Sequence, residues 1–567
     1  MPLLCTVLAA AVAVLVPCGF WINSRSLPPP LEFTSSEGTS VPVLSPCPQV
    51  DPILPKVHSV LHARLEWYYR DELFKSSVYD RLGGAVRIPT ESYDDMKPVG
   101  EDHRWDIFQN FHDFLESSFP RIYSDLRVTK VNTYGIVIHW QGSEDSLKPF
   151  LLAAHQDVVP VDPDTLDQWI YPPYSGAYDG TWIWGRGSAD DKSDLIAQLI
   201  SVDSLLNQGF RPRRTIVLAF GIDEESAGTE GAGKIAEYLE KTYGRDSFCL
   251  LLDEGDGYGK NVRDGLIFAS PGISEKGYFD VRMEVNTPGG HSNVPPRHTG
   301  IGILSRLIVA LESDLHEAAF LRSGTAFANA QCAVAYDPKY SPSLRNLARK
   351  ALVDDDSLEE LKDHLLALDP VFDAMLRTTQ AVDIVYGGLK ANTLPEMATA
   401  VINHRIAEHA SVADVQAHII EIISPIASEF NLSLHAFDLP VDKETRQIIL
   451  TDAFDTALEP SPVTPLDHGG PYELLSGTIK AALETADRYN STGVIISPSL
   501  GLGAIRHTRF YWSLTKHIFR YSHYGDRDDY YNGLHTVNEA VRAEAVVEHI
   551  RFFTILILNS DETTLFC

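Results

Sequence analysis

Three short apolar runs in the first half of the chain constrain its fold more than any other feature of the sequence. They occupy residues 150–154, 215–220 and 248–252. Runs of this length without polar alternation are typical of strands buried on both faces of a parallel sheet. Between the first two runs, residues 193–206 carry apolar side chains at helical spacing, and Gly209 follows as a helix-ending residue. This alternation predicts an α/β fold with a mostly parallel sheet.

A different pattern begins near residue 275. Residues 277–285 and 398–405 alternate between polar and apolar side chains, as half-exposed strands do, and helical stretches lie between them. We therefore predict an inserted α+β domain over residues 275–440. The catalytic domain is predicted to consist of residues 57–274 and 441–567, and a chain of 567 residues is long enough for two cores.

The N-terminus carries an apolar segment, residues 3–20, without a charged side chain. About 18–20 such residues can span a bilayer, so residues 1–23 are predicted to be a signal anchor or a cleaved signal peptide. Residues 24–56 are rich in Pro and Ser and are typical of a linker. Both interpretations predict entry into the secretory pathway, followed by single-pass attachment to a membrane or by secretion. Sequons at Asn431 and Asn490 are then candidate glycosylation sites.

Charge and cysteine content argue against two other classes of protein. The formal net charge of −30 argues against a nucleic-acid partner, which would need a basic surface. The six cysteines are scattered without CxxC spacing, which argues against a disulfide framework and against a cysteine-rich zinc site. A single disulfide, such as one between Cys249 and Cys332, remains an open alternative.

Each of the three apolar runs is followed by residue types that bind metals. In chain order these are His155, Asp157, Glu224, Glu225, Asp253 and Glu254. Because parallel sheets bind ligands beyond the carboxyl ends of their strands, we expect these side chains to meet in one crevice. Asp190, just before the predicted helix, and His535, near the C-terminus, extend a donor set that suits zinc.

The charges of this set suit two zinc ions. Asp190, Glu225 and one of Asp253 or Glu254 bring three negative charges, and a bridging hydroxide brings a fourth, which two Zn²⁺ ions balance. The choice between Asp253 and Glu254 stays open, with a preference for Asp253.

Two further acidic residues are predicted to act beside the metals. Asp157 is two residues from His155, so on a strand it can accept the second N–H of the imidazole and fix the ring's tautomer. Glu224 adjoins the ligand Glu225 without needing to bind metal itself, and it is the candidate general base.

Six ordered segments carry a resemblance to a known family. They are HQDVVPV (155–161), GRGSADDK (185–192), DEESAG (223–228), LDEG (252–255), TPGGHS (287–292) and GLHTVNEA (533–540). Together they resemble the aminoacylase/carboxypeptidase family of di-zinc exopeptidases, and within it the fungal carboxypeptidase S (Gly-X carboxypeptidase) type. The resemblance implies a di-zinc exopeptidase catalytic domain with an inserted α+β lid domain.

The resemblance also implies roles for single residues. His155 would bind one zinc and His535 the other, Asp190 would bridge them, and Glu225 would complete the second zinc's ligands. Asp157 and Glu224 match the family's two catalytic acids.

In the lid, His291 matches a histidine that stabilises the developing oxyanion. Asn392 and Arg405 match positions that hold the free carboxylate of the substrate, a task for which the guanidinium fork of arginine is suited.

One segment departs from the family pattern. Related enzymes usually carry Asn-Thr-Asp-Thr-Arg before an aromatic pair, whereas residues 505–509 here are IRHTR. Ile505 and His507 therefore stand where the Asn and the Asp are expected. The departure lies in a loop expected to affect substrate preference rather than the metal site.

The resulting hypothesis is a zinc metallocarboxypeptidase that removes the C-terminal residue of small Gly-X peptides through a metal-bridging hydroxide, with Glu224 as general base. One alternative is an N-acyl-amino-acid amidohydrolase or synthase, and another, of a different class, is a non-catalytic zinc-binding protein. The resemblance implies the vacuolar lumen as location and membrane attachment through the N-terminal segment. A homodimer formed through the lid is a further expectation, and no nucleic-acid partner is expected.

Overall fold

A computed structural model describes residues 45–260, 265–437, 446–489, 493–503 and 507–563. The predicted N-terminal segment 1–23, the sequon at Asn490 and the first two residues of the departure at 505–509 lie outside these residues. Within the described part of the chain, no helix is both long enough and apolar enough to cross a bilayer.

Helices are distributed along the whole described chain. The α-helices are α1 (Ser59–Tyr69), α2 (Glu72–Val86), α3 (Ile107–Ser118), α4 (Pro120–Asp125), α5 (Lys192–Asn207), α6 (Lys234–Tyr243), α7 (Gly300–Ser313), α8 (Thr325–Tyr336), α9 (Pro342–Ala351), α10 (Asp355–Leu368), α11 (Pro370–Leu376), α12 (Val412–Glu429), α13 (Pro471–Glu484), α14 (Asp526–Asp529) and α15 (Ala543–Glu562). Short 3₁₀ helices lie at His103–Asp106, Pro163–Gln168 and His507–Tyr511, and one π-helical turn lies at Thr229–Gly233.

Strands form several sheets. They are β1 (Arg127–Val131), β2 (Gly135–Trp140), β3 (Phe150–His155), β4 (Ala177–Tyr178), β5 (Trp182–Trp184), β6 (Ile216–Gly221), β7 (Leu250–Asp253), β8 (Tyr258–Lys260), β9 (Leu266–Ala269), β10 (Gly272–Glu275), β11 (Gly277–Asn286), β12 (Gly290–His291), β13 (Thr379–Gly387), β14 (Thr393–Leu394), β15 (Met397–Ile406), β16 (Ser433–Ala436), β17 (Gln447–Asp452), β18 (Gly493–Ile496), β19 (Ser499–Gly501), β20 (Ile518–Arg520) and β21 (Ala540–Arg542).

The central sheet has the described strand order β1-β2-β6-β3-β7-β20-β10-β19. Strand β3 pairs in parallel with both β6 and β7, and β7 pairs in parallel with β20. Successive residues of β3 alternate between two cores: Leu152 packs with α5 and α15, while Leu151 packs with α6. Both faces of the strand are therefore buried, which is why its sequence is apolar throughout. The α/β fold with a mostly parallel sheet is confirmed.

A second sheet has the order β13-β15-β11-β17-β16 and packs against α7 and α12. The chain leaves the central sheet after Glu275 and enters this one at Gly277. Strands β11 and β15 pair antiparallel over their whole length, and their buried residues form a separate core with the two helices. This arrangement is the expected α+β insertion. Because β17 pairs with β11, the sheet continues beyond the expected boundary at residue 440.

The cysteine pairing differs from the alternative considered above. Cys332, on α8, forms a disulfide with Cys47, whereas Cys249 is buried beside β7. Sequence could not identify this pair because the two cysteines are separated by 285 residues. Cys47 is buried, and the backbone N–H of Ile53 donates to the carbonyl of Gly477. The chain therefore packs on the folded body before Val57, where the predicted linker was expected to end.

Candidate metal centre and active site

The parallel strands place the predicted ligands at one edge of the central sheet. Strand β3 ends at His155, and its neighbours β6 and β7 end at Gly221 and Asp253. Because these strands are adjacent and parallel, the loops that follow them open on the same side. The loop before α5 brings Asp190 to this edge, and the loop before β21 brings His535.

A first group consists of His155, Asp190 and Glu254, whose ligand-type atoms all lie within 4.8 Å of one another. The Nε2 atom of His155 is 3.1 Å from Oδ1 of Asp190 and 3.6 Å from Oε1 of Glu254. All three side chains are buried. One nitrogen and two carboxylate oxygens at this spacing can hold a single divalent cation.

A second group consists of Asp190, Glu225 and His535, again within 4.8 Å of one another. The Nε2 atom of His535 is 3.1 Å from Oδ2 of Asp190 and 3.0 Å from Oε1 of Glu225. Asp190 thus directs Oδ1 to the first group and Oδ2 to the second. A carboxylate shared in this way is what a centre of two metals needs.

Asp157 organises the base of the site. Its carboxylate accepts hydrogen bonds from the Ser92 hydroxyl, at 2.7 Å, and from the backbone N–H groups of Glu224 and Glu225, at 3.2 and 3.1 Å. Its Oδ1 atom is also 3.2 Å from Nδ1 of His155. This contact favours the tautomer with the proton on Nδ1, which leaves the Nε2 lone pair directed at the first group.

The two acidic residues after β7 have different surroundings. The carboxylate of Glu254 belongs to the first group, whereas Oδ1 of Asp253 is 2.8 Å from Nε2 of His507. Their side chains therefore diverge although the residues are adjacent in sequence. Glu224 is buried, and its carboxylate lies within 4.8 Å of ligand-type atoms of His155 and Glu225.

The electrostatics of the site favour a bound cation. Hydrogen bonds to Asp190 and Glu225 raise the pKa of His535 to about 10. Burial lowers the pKa of His155, but the charges of Glu254 and Asp157 outweigh burial and raise it well above its usual value. Burial, with the charge of Asp190, raises the pKa of Glu225 to about 7. Clustered carboxylates thus hold protons on nearby groups, and divalent cations would neutralise the same negative charge.

The three residues predicted to contact substrate lie on the insertion. His291, on β12, and Asn392, just before β14, are exposed near each other, because these two strands pair. Arg405, on β15, stacks over the Tyr278 ring, with 4.6 Å between its guanidinium carbon and the ring centroid. Among the described residues, no hydrogen bond or ion pair joins these side chains to the two ligand groups.

Glu539 is a buried residue that was not predicted from the sequence to have a role in the site, and it holds the loop that carries Asp190. Oε1 of Glu539 accepts hydrogen bonds from the backbone N–H groups of Gly187, at 2.9 Å, and Ala189, at 3.0 Å. The other oxygen pairs with Arg186. Glu539 lies in the segment GLHTVNEA, four residues after His535, so its position in that segment was the available signal.

Replacing Glu539 should weaken metal binding without removing a ligand. We expect Glu539→Gln to lower zinc affinity about 10–100-fold, because groups that orient ligands usually contribute on this scale. Competition with a calibrated zinc chelator measures the change. The exposed Glu544→Gln is the matched control and should leave affinity unaltered. Equal zinc affinity of the two variants would contradict the assigned role.

Comparison with known proteins agrees with this geometry. Residues 151–559 match the model of Peptidase family M20/M25/M40. The chain belongs to the M20 peptidase family. It is 36% identical to the M20 relative carboxypeptidase S of Saccharomyces cerevisiae, over 98% of this chain and 96% of that protein. It is 29% identical to an N-fatty-acyl-amino acid synthase/hydrolase of Xenopus tropicalis, over 86% of each chain.

The M20 fold is also found in solved structures. Human carnosine dipeptidase 1 superposes with a TM-score of 0.57 at 17% identity, covering 90% of this chain and 100% of that one. Membership of the M20 family makes the protein a metallopeptidase, in agreement with the enzyme class predicted from the sequence. It also implies a divalent metal, for which the two ligand groups supply oxygen and nitrogen donors.

Proposed function

We propose that this M20 protein is a zinc-dependent carboxypeptidase that removes the C-terminal residue of small peptides. The observation that carries the proposal is the position of Asp190, whose two oxygens face separate His-carboxylate groups. The similarity to carboxypeptidase S supports cleavage at the C-terminal end of the substrate. The proposal includes the Gly-X preference predicted from the sequence.

The proposed ligands of one zinc are His155 and Glu254, those of the other are Glu225 and His535, and Asp190 is shared. Glu254 is preferred to Asp253 because its carboxylate faces His155, while Asp253 is engaged by His507. When bound, the two zinc ions would supply Lewis-acid activation of a water molecule and polarise the scissile carbonyl.

Glu224 is the proposed general base. It lies beside Glu225, and Asp157 fixes its backbone by accepting its N–H. In the proposed reaction the Glu224 carboxylate takes a proton from the attacking water and later gives it to the leaving amine. Asp157 holds both the His155 ring and this loop, so it is assigned a positioning role in the same step.

His291, Asn392 and Arg405 are proposed to act on the substrate's carbonyl and terminal carboxylate. All three residues lie on the insertion. They can reach the substrate only if the insertion closes over the metal centre, or if the insertion of a partner chain supplies the same three residues. Arg405 can bind a carboxylate through two parallel hydrogen bonds, which would confine cleavage to the last peptide bond.

A second candidate function is hydrolysis or synthesis of N-acyl amino acids. A cavity of about 980 Å³ begins beside the metal ligands, where Gly255 follows Glu254 and Leu534 precedes His535. Val371 and Leu500 contribute apolar surface to it. A cavity of this size could hold an acyl chain, and the relative of Xenopus tropicalis carries this activity in its name.

The secretory pathway, with the vacuolar lumen as destination and membrane attachment through residues 3–20, remains part of the proposal. The disulfide between Cys47 and Cys332 supports an oxidising compartment, because such bonds are rare in the cytosol. The sequon at Asn431 is exposed in the turn after α12, as a glycosylation site must be.

Hydrolysis of a blocked Gly-Leu dipeptide tests the proposed function. Cleavage of the free acid, no cleavage of its C-terminal amide and loss of activity with a chelator are expected. A long-chain N-acyl leucine assayed alongside separates the second candidate. Arg405→Ala should lower kcat/KM for the free acid, whereas exposed Arg306→Ala on α7 should not. Protein that holds two zinc ions but cleaves none of these substrates would support the non-catalytic alternative.

A further inference from the structure

His507 replaces the acidic residue expected at its position, and it is buried against the metal centre. It begins the 3₁₀ helix His507–Tyr511, and only 3% of its surface is exposed. Its Nε2 atom is 2.8 Å from Oδ1 of Asp253. The side chain is thus held beside the strand end that provides Glu254.

The contact with Asp253 determines which nitrogen of His507 can bind a cation. A carboxylate accepts hydrogen bonds, so Nε2 carries the proton and donates it to Asp253. The lone pair of the neutral ring is then on Nδ1. This atom is buried and has no hydrogen-bond partner among the described residues. A metal-binding histidine usually donates the N–H of one ring nitrogen to a carboxylate and binds the metal through the lone pair of the other nitrogen.

His507, Glu224 and Glu254 form a third group of ligand-type residues. One ring nitrogen of His507 and one carboxylate oxygen of each glutamate lie within 4.8 Å of one another, and all three residues are buried. This group shares Glu254 with the first ligand group but includes neither Asp190 nor His535. It therefore differs from both halves of the two-zinc centre.

We propose that His507, Glu224 and Glu254 form an auxiliary zinc site that inhibits the enzyme when zinc is in excess. The inference rests on the proposed function, because a zinc ion bound to Glu224 would occupy the carboxylate that must accept the proton from water. The site binds zinc more weakly than the main centre, since it shares Glu254 with another cation and the two cations repel each other. Activity should rise as two zinc ions bind and fall as a third binds.

The test begins with full-length protein loaded with two equivalents of zinc. Isothermal titration with further ZnCl₂ should reveal one more binding event, and activity should fall over the same concentration range. His507→Gln keeps a donor for Asp253 near the position of Nε2 but lacks the imidazole lone pair. In this variant the binding event should disappear. The inhibitory zinc concentration should rise at least about tenfold, because losing a ligand costs no less than losing a group that only orients one. The exposed His468→Gln is the control and should behave as the unmodified protein.

Glu224→Gln provides a second test that leaves His507 in place. It should retain the two main zinc ions but lose the additional binding event, which calorimetry detects without an activity assay. The proposal is overturned if no third zinc binds, or if His507→Gln keeps both the binding event and the inhibition. Failure of the proposed function is a separate result: protein with two zinc ions would then be inactive, while calorimetry would still decide whether the third site exists.

Discussion

Glu224→Gln is expected to lower the rate of hydrolysis by at least about 100-fold while leaving the two proposed zinc ions bound. The substitution keeps the size of the side chain but removes the carboxylate that takes the proton from water. General-base residues typically contribute about 10²–10⁴-fold to kcat, so we expect a loss in this range. Because Glu224 is not a proposed ligand of the two-zinc centre, zinc content after dialysis should equal that of the unmodified protein. Steady-state kinetics and elemental analysis of the same preparation measure both quantities.

Glu237→Gln is a suitable control for this experiment, because Glu237 is exposed on α6 and interacts with Lys234 rather than with the site. It should retain full activity. Activity within about threefold of the unmodified enzyme in Glu224→Gln would reject Glu224 as the base. Loss of zinc together with activity would instead make Glu224 a ligand.

Asp190→Asn should have the largest effect on metal binding. One oxygen of Asp190 contacts His155 and the other contacts His535, both proposed ligands, so the substitution removes charge from both groups at once. Residues that only orient ligands contribute about 10–100-fold, so loss of the shared ligand should lower zinc affinity more than about 100-fold. Hydrolysis should fall below detection at zinc concentrations that saturate the unmodified enzyme.

Thermal unfolding provides an independent measurement for Asp190→Asn. Zinc that binds only the folded state adds about 2.7 kcal/mol of stability at a concentration 100 times its Kd. A chelator should therefore lower the Tm of the unmodified protein but have little effect on Asp190→Asn. The exposed Asp164→Asn should respond as the unmodified protein does. A chelator effect of equal size in Asp190→Asn and the unmodified protein would show that Asp190 is not required for binding.

The central sheet, and the edge of it where the candidate metal ligands lie, could be predicted because the sequence patterns that indicate them are local. Strands buried on both faces need continuous apolar sequence, and β3, β6 and β7 each satisfy this requirement. The residues after such strands must lie at one edge when the strands are parallel, which brings His155, Glu225 and Glu254 together.

The disulfide could not be predicted in the same way. Cys47 and Cys332 are far apart in sequence, and their contact depends on how the N-terminal segment packs against α8. The role of Glu539 could not be predicted for a similar reason. Its carboxylate accepts a hydrogen bond from the backbone N–H of Ala189, which lies about 350 residues earlier in the chain. Contacts of this kind leave no periodic signal in the sequence.

By itself, the sequence determined the fold class, the peptidase family and the residue types available to bind metal. These follow from strand and helix periodicity and from short motifs, which depend on neighbours in the chain. Only the tertiary structure gave Glu254 and Asp253 different surroundings, because these adjacent side chains diverge at the end of β7. Glu254 lies with His155 and Asp190, whereas Asp253 contacts His507. The tertiary structure alone also brought His507 against Asp253, a contact across 254 residues. The physical reason is that donor geometry depends on how distant segments pack, and packing is a property of the whole folded chain.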